Sequence, residues 1–93
     1  MPGAELYALE YLEAVVKEDI PCLPKTARLR IRRAMEERLQ TAPVRFGRPL
    51  RYSLRGHRRL RVGDYRVVYA IDAKRHSVQV LAIKHRKDVY NHK

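Results

Sequence analysis

The sequence predicts an α+β domain, with an N-terminal helical hairpin packed on one face of a small, mostly antiparallel, twisted β-sheet. Three runs rich in Val, Ile, Leu and Tyr stand back to back at residues 57–62, 65–72 and 77–84, and such residues suit a pleated, half-buried surface. Gly63-Asp64 fills the two-residue gap between the first two runs, a hairpin signal because such turns demand positive φ, which glycine adopts freely. Upstream, residues 25–40 place Ala27, Ile31, Ala34, Met35 and Leu39 at helical spacing with no Gly or Pro inside.

In chain order, residues 6–12 interleave Leu6, Ala8 and Leu9 with Tyr7 and Tyr11, a pattern that suits either a strand or the start of a helix. Residues 13–20 read as a short helix, with Ala14, Val15 and Val16 apolar, ended by Pro21 and Pro24. The long helix follows, with Arg28, Arg32, Glu36 and Arg38 elsewhere on its wheel. Residues 41–54 hold Pro43, Gly47 and Pro49 and read mostly as loop. The overlapping segment RFGRPLRYSLRG, residues 45–56, is basic, with Phe46 and Tyr52 interleaved. Cations with aromatic neighbours hold phosphates and stack bases, or Phe46 and Leu50 simply tuck under the sheet edge. The polar link 73–76 suits a second hairpin.

Strand alternation then sorts the side chains. Arg59 and Arg61 share one face, opposite Leu60 and Val62, and Arg66 faces away from Tyr65, Val67 and Tyr69. Leu60, Val62, Val67, Ile31 and Leu39 are the expected core, and the arginines gather on a wet face, either merely solvated or built to meet an anion.

Ninety-three residues make one domain, 1–93, with one modest core. The formal charge of +11 is uneven. Residues 1–24 carry five acidic groups against one lysine, net −4; residues 25–41 carry six basic against two acidic, net +4; residues 42–93 carry fourteen basic against three acidic, net +11. A polyanion or an acidic protein is expected to meet the sheet half. No apolar run reaches the roughly 18 residues of a membrane span, and no secretory signal is expected at MPGAELYALEY. The single cysteine, Cys22, is expected to pack as a small core hydrophobe in a cytoplasmic protein. One Cys and four scattered His show no zinc-ligand spacing, and no metal site is expected.

The segments RLRVGDYRVVY and VLAIKHRKDVY resemble the RelE/ParE superfamily of bacterial and archaeal toxins, on its RelE side. The resemblance covers roughly residues 5–90, with hairpin, strand, strand, basic loop and terminal Tyr in the family's order. It implies a RelE-like fold in which residues 6–12 form the first strand, an edge or central partner of the sheet. It also implies the toxin of a toxin–antitoxin system, a ribosome-dependent mRNA endonuclease (mRNA interferase). Its partners would be a cognate antitoxin and the ribosome with mRNA in the A site, with no membrane and no small-molecule cofactor. Two rivals share the fold: a ParE-like inhibitor of DNA gyrase and a non-catalytic RNA-binding module.

On the nuclease reading the ribose 2′-OH attacks the adjacent phosphate, which requires a base, an acid and fixed cations for the phosphorane charge. Arg59, Arg61, Arg66 and Arg86 are the candidate cations, because the guanidinium fork matches phosphate. Arginine is a poor base, and the archetypal RelE toxin carries lysines where Arg59 and Arg61 stand. The remaining candidates for proton transfer are His85, Tyr90 and His57; the family places a tyrosine where Tyr90 stands, and neighbouring cations favour phenolate. Arg48, Arg51, Arg55, Arg58, Lys84 and Lys87 complete the expected RNA-binding set. His57 and His76 are expected to be structural or solvent-exposed.

Overall fold

The computed structural model describes residues 5–51 and 55–87. Five strands form one sheet: β1 Ala8–Tyr11, β2 Arg48–Pro49, β3 Arg58–Val62, β4 Tyr65–Asp72 and β5 Ser77–His85, in the order β1-β5-β4-β3-β2. All neighbours are antiparallel except β1 and β5, which run parallel. The helical layer consists of a single π-helical turn, Val15–Asp19, and the helix α1, Lys25–Ala34, which continues as a second π-helical turn, Met35–Leu39. A short helix α2, Pro43–Phe46, leads into β2.

Each element follows from local chemistry. Gly63 adopts φ +59° between β3 and β4, so the two-residue turn forms as expected. The β4–β5 register slips by one between Val68 and Tyr69: Val68 pairs with Ala82 and Tyr69 with Val80, leaving Leu81 as the extra residue of a bulge. The widened turn at Val15–Asp19 closes with Ile20 N–H donating to Val15 O at 2.9 Å. It puts both Val15 and Asp19 inside. In α1 and its continuation, Ile31, Ala34, Met35 and Leu39 are buried.

The core lies between the helical layer and one sheet face. Val67, Tyr69, Val78 and Val80 have no accessible surface, and Leu60, Val62 and Ile83 are nearly as enclosed. All five residues expected inside are inside. Leu60→Ala is expected to cost about 2–5 kcal/mol, large against the total stability of a small domain. An unchanged thermal midpoint in that variant would show that β3 is faced wrongly.

Residues 6–12 contain a strand as the resemblance implies, and it lies at the sheet edge, parallel to β5 over only Ser77–Val80. Three expectations are corrected. The stretch 41–54 is not simply loop, because Pro43 starts α2 and Arg48–Pro49 pairs with β3. Both elements are too short for periodicity to reveal, and Pro49 is tolerated because β2 is a sheet edge. The last strand runs one residue further, to His85. Cys22 is exposed, not core; it lies in the connection after the first π turn, where Leu23 takes the buried position.

Beyond Tyr11, β1 leaves the edge of β5 open, and Asp19 fills it. Its Oδ2 accepts the Ile83 N–H at 2.9 Å, and its Oδ1 accepts from Lys84 Nζ at 2.8 Å.

Candidate nucleic-acid interface

The uncovered sheet face carries its cations in two rows. Arg48 of β2 stands opposite Arg59 of β3. One step along, Arg61 stands opposite Arg66 of β4, and Arg66 opposite Lys84 of β5. Directly opposed side chains on one sheet face have Cβ atoms about 5 Å apart, where like charges repel. An anion lying across them removes that repulsion. Arg48, Pro49, Arg51, Arg59 and Arg66 line a cleft of about 710 Å³, with no acidic residue in its wall among the described residues. Arg59 and Arg66 rise from adjacent strands, while Arg48 and Arg51 close it from the β2 side.

The β2 wall is held from beneath. The buried Tyr69 hydroxyl donates to Pro43 O at 2.6 Å. Arg58 donates to Val44 O at 2.8 Å and to Gly47 O at 2.6 Å. Burial pushes the Tyr69 phenol above the usual tyrosine range, opposed by the hydrogen bond and charge of Arg58. Gly47 is required here for space alone: a Cβ would come 1.6 Å from the Tyr69 hydroxyl oxygen.

The other expected site residues divide. Arg61 is exposed on the cleft side and donates from Nε to Gly63 O at 3.4 Å. Lys84 belongs to the same row by register, but its ammonium reaches round the sheet edge to Asp19. Arg86 sits at the β3–β4 hairpin, with its N–H donating to Asp64 O at 2.8 Å and its guanidinium 4.0 Å from the Asp64 carboxylate. It does not line the cleft. Arg58 belongs to the support beneath the sheet and does not line the cleft. His85 pairs with Tyr65, so it faces the helical side, and its ring stands edge-on to Tyr65 at 5.1 Å. Its Nδ1 accepts the Lys87 N–H at 3.1 Å, which assigns the remaining proton of a neutral ring to Nε2. His85 is therefore not brought together with the arginines. It borders a separate depression of about 400 Å³ with Glu18, Cys22 and Tyr65. Arg55 and Lys87 are exposed away from the cleft wall. Tyr90 and Tyr52 lie outside the described residues. His57 is half-buried, and His76 takes φ 52° at the β4–β5 turn and stacks on Tyr7 at 3.8 Å.

The support formed by Arg58 and Tyr69 escaped sequence reading, although the signal was present. Arg58 shares the parity of Leu60 and Val62, and so had to point inward with them. Among the described residues, no group of three or more His, Cys, Asp or Glu is placed to hold a metal ion, and no helix is long and apolar enough to cross a membrane.

The chain is thus a small α+β domain with one sheet face covered by helices and the other set with arginines. A family profile described as "ParE toxin of type II toxin-antitoxin system, parDE" matches residues 7–90, and the chain belongs to this RelE/ParE superfamily of toxins. It is 50% identical over 48 residues to Toxin RelE of Mycobacterium tuberculosis, covering 52% of this chain and 50% of that protein. It is 42% identical over 52 residues to Toxin RelG of the same organism, covering 56% of this chain and 60% of the relative. The chain thus spans about half the length of the first of these relatives. Among solved structures, a chain of the toxin–antitoxin complex RelBE2 from Mycobacterium tuberculosis superposes with a TM-score of 0.80 at 30% identity, over 90% of this chain and 95% of that one.

Proposed function

We propose that this chain is the toxin of a RelBE-type toxin–antitoxin pair and that it inhibits translation by cutting mRNA in the ribosomal A site. The observation that carries this reading is the cleft of Arg48, Arg51, Arg59 and Arg66, open to solvent and, among the described residues, free of acidic groups in its wall. In this reading a phosphodiester lies in the cleft, with guanidinium forks on its non-bridging oxygens. Arg59 and Arg66 are held by strand backbone, so their donors are oriented before charge develops on the phosphorane, the condition under which such donors accelerate reaction most. Arginine stays protonated and does not take the 2′-OH proton. His85 faces the other side of the sheet, which leaves Tyr90 as our candidate for that step. The small domain borrows the placement of its substrate from the ribosome. Its antitoxin is expected to present acidic groups to the basic half, and both act in the cytoplasm.

The match to the ParE description favours one rival, a gyrase inhibitor without catalysis. Inducing the chain in translating cells and mapping mRNA 5′ ends separates the two. Codon-periodic cuts support the nuclease; intact mRNA with arrested gyrase supports the inhibitor; RNA binding without cuts supports a non-catalytic module. The electrostatic part has its own check. If each of the four cleft arginines neutralises one phosphate, log K for single-stranded RNA is expected to fall with log salt at a slope of about −3, from about −0.7 per phosphate. A flat salt response in a fluorescence-anisotropy titration would exclude phosphate binding by the cleft.

A further inference from the structure

Beside the arginine cleft lies a second depression of about 370 Å³, bordered by Arg38, Phe46, Arg48, Arg59, Leu60 and Arg61. Arg48 and Arg59 belong to both. Two aromatic side chains are exposed among the described residues, Tyr11 and Phe46. Tyr11 borders an apolar groove with Leu23, Leu29 and Met35, whereas Phe46 stands among cations. The Phe46 side chain is 45% accessible, and the Arg45 guanidinium lies 5.9 Å from its ring centroid. Its placement is fixed from both sides. Pro43 and Gly47 are buried, and the carbonyls of Pro43, Val44 and Gly47 are held by Tyr69 and Arg58. A ring held in water costs the burial it forgoes, and this one is held at the rim of a groove bordered by Arg38, Arg48, Arg59 and Arg61.

We propose that Phe46 is the platform of a nucleobase subsite. A base of single-stranded RNA lies on the ring, while the neighbouring phosphate is held by Arg48 and Arg59 where the two depressions meet. The inference rests on the RNA reading of the cleft and adds a contact that phosphate binding does not supply. Base–aromatic stacking tolerates any sequence, because every base has a π face. The guanidinium of Arg45 and a base are compatible neighbours of one ring, since both stack on it.

The chain contains no tryptophan, so Phe46→Trp introduces a single indole reporter at the site. The probes are a short single-stranded RNA oligonucleotide and an oligonucleotide of equal length and phosphate number with abasic sugars. The normal strand is expected to quench the indole, whereas the abasic strand binds in a salt-sensitive way without quenching. Phe46→Ala and Phe46→Leu are both expected to lose affinity for the normal strand by roughly 5- to 150-fold, the loss of one stack. They should keep their affinity for the abasic strand, and Phe46→Tyr should match the wild type. Equal quenching by both strands, or full affinity in Phe46→Ala, overturns the proposal. Full affinity in Phe46→Leu does the same, because the position would then be an apolar contact of the kind a protein partner uses. Ribosomal mRNA cleavage by the wild type decides the cleft separately. A cleaving wild type whose RNA binding ignores Phe46→Ala removes the subsite alone; a wild type that neither binds nor cuts RNA removes both.

Discussion

Gly47→Ala is expected to destabilise the domain by about 2–6 kcal/mol, the sum of overpacking and of a stranded hydrogen-bond partner. The backbone is not the obstacle: Gly47 has φ −88° and ψ 168°, open to any residue. The obstacle is Tyr69, whose hydroxyl oxygen, Cζ and Cε1 would lie 1.6, 2.5 and 2.9 Å from the new methyl group. Tyr69 has no accessible surface and no room to step aside. Moving it breaks its bond to Pro43 O and loosens the segment that carries Arg48. Each kcal/mol lowers the midpoint of a domain this size by about 4–8 °C, so calorimetry should record a fall of about 8 °C or more. Tyr69→Phe alone is expected to cost about 1–3 kcal/mol, the penalty of an unsatisfied buried carbonyl. It should not rescue Gly47→Ala, because the ring carbons still collide. A Gly47→Ala midpoint within about 3 °C of wild type would mean that Tyr69 is not seated beneath this turn.

On the proposed nuclease reading, Arg66→Ala is expected to lower the single-turnover rate of mRNA cleavage on ribosomes by about 10²–10³, the effect of losing one oriented donor to a developing oxyanion. Ribosome affinity should fall far less, since Arg48, Arg51 and Arg59 still line the cleft and the basic half of the chain remains. Arg66 faces away from the core, so the melting temperature should hold. Equal losses in rate and affinity would recast Arg66 as a docking cation and sink its catalytic role.

Both predictions depend on β3 and β4, and these strands were legible in the sequence because period-2 alternation survives burial. Once Leu60 and Val67 are inside, Arg59, Arg61 and Arg66 have nowhere else to point. The long helix was legible for the matching reason, a stripe at helical spacing. What escaped is what alternation does not encode, or what composition overrides. Arg58 reads as a surface cation, yet its long side chain carries the charge to carbonyls beneath the sheet. The facing of His85 was open because the strand was expected to stop one residue earlier; pairing with Tyr65 decides it. Strand β2 is two residues long and has no period. The edge position of β1 depends on contacts some 65–70 residues away in the chain, and no local pattern records them.

The carboxylate of Asp19 at the end of β5 has a consequence for how copies of this protein meet. An open strand edge is a template on which another chain can add a strand, the first step of sheet-to-sheet aggregation. Along β5, β1 blocks that template as far as Val80, and a single side chain blocks it further on. An incoming strand would have to break the Ile83 bond and the Lys84 ion pair together, leaving a buried charge behind. A side chain from the π turn that follows β1 thus discourages self-association at an edge where the fold has run out of strand.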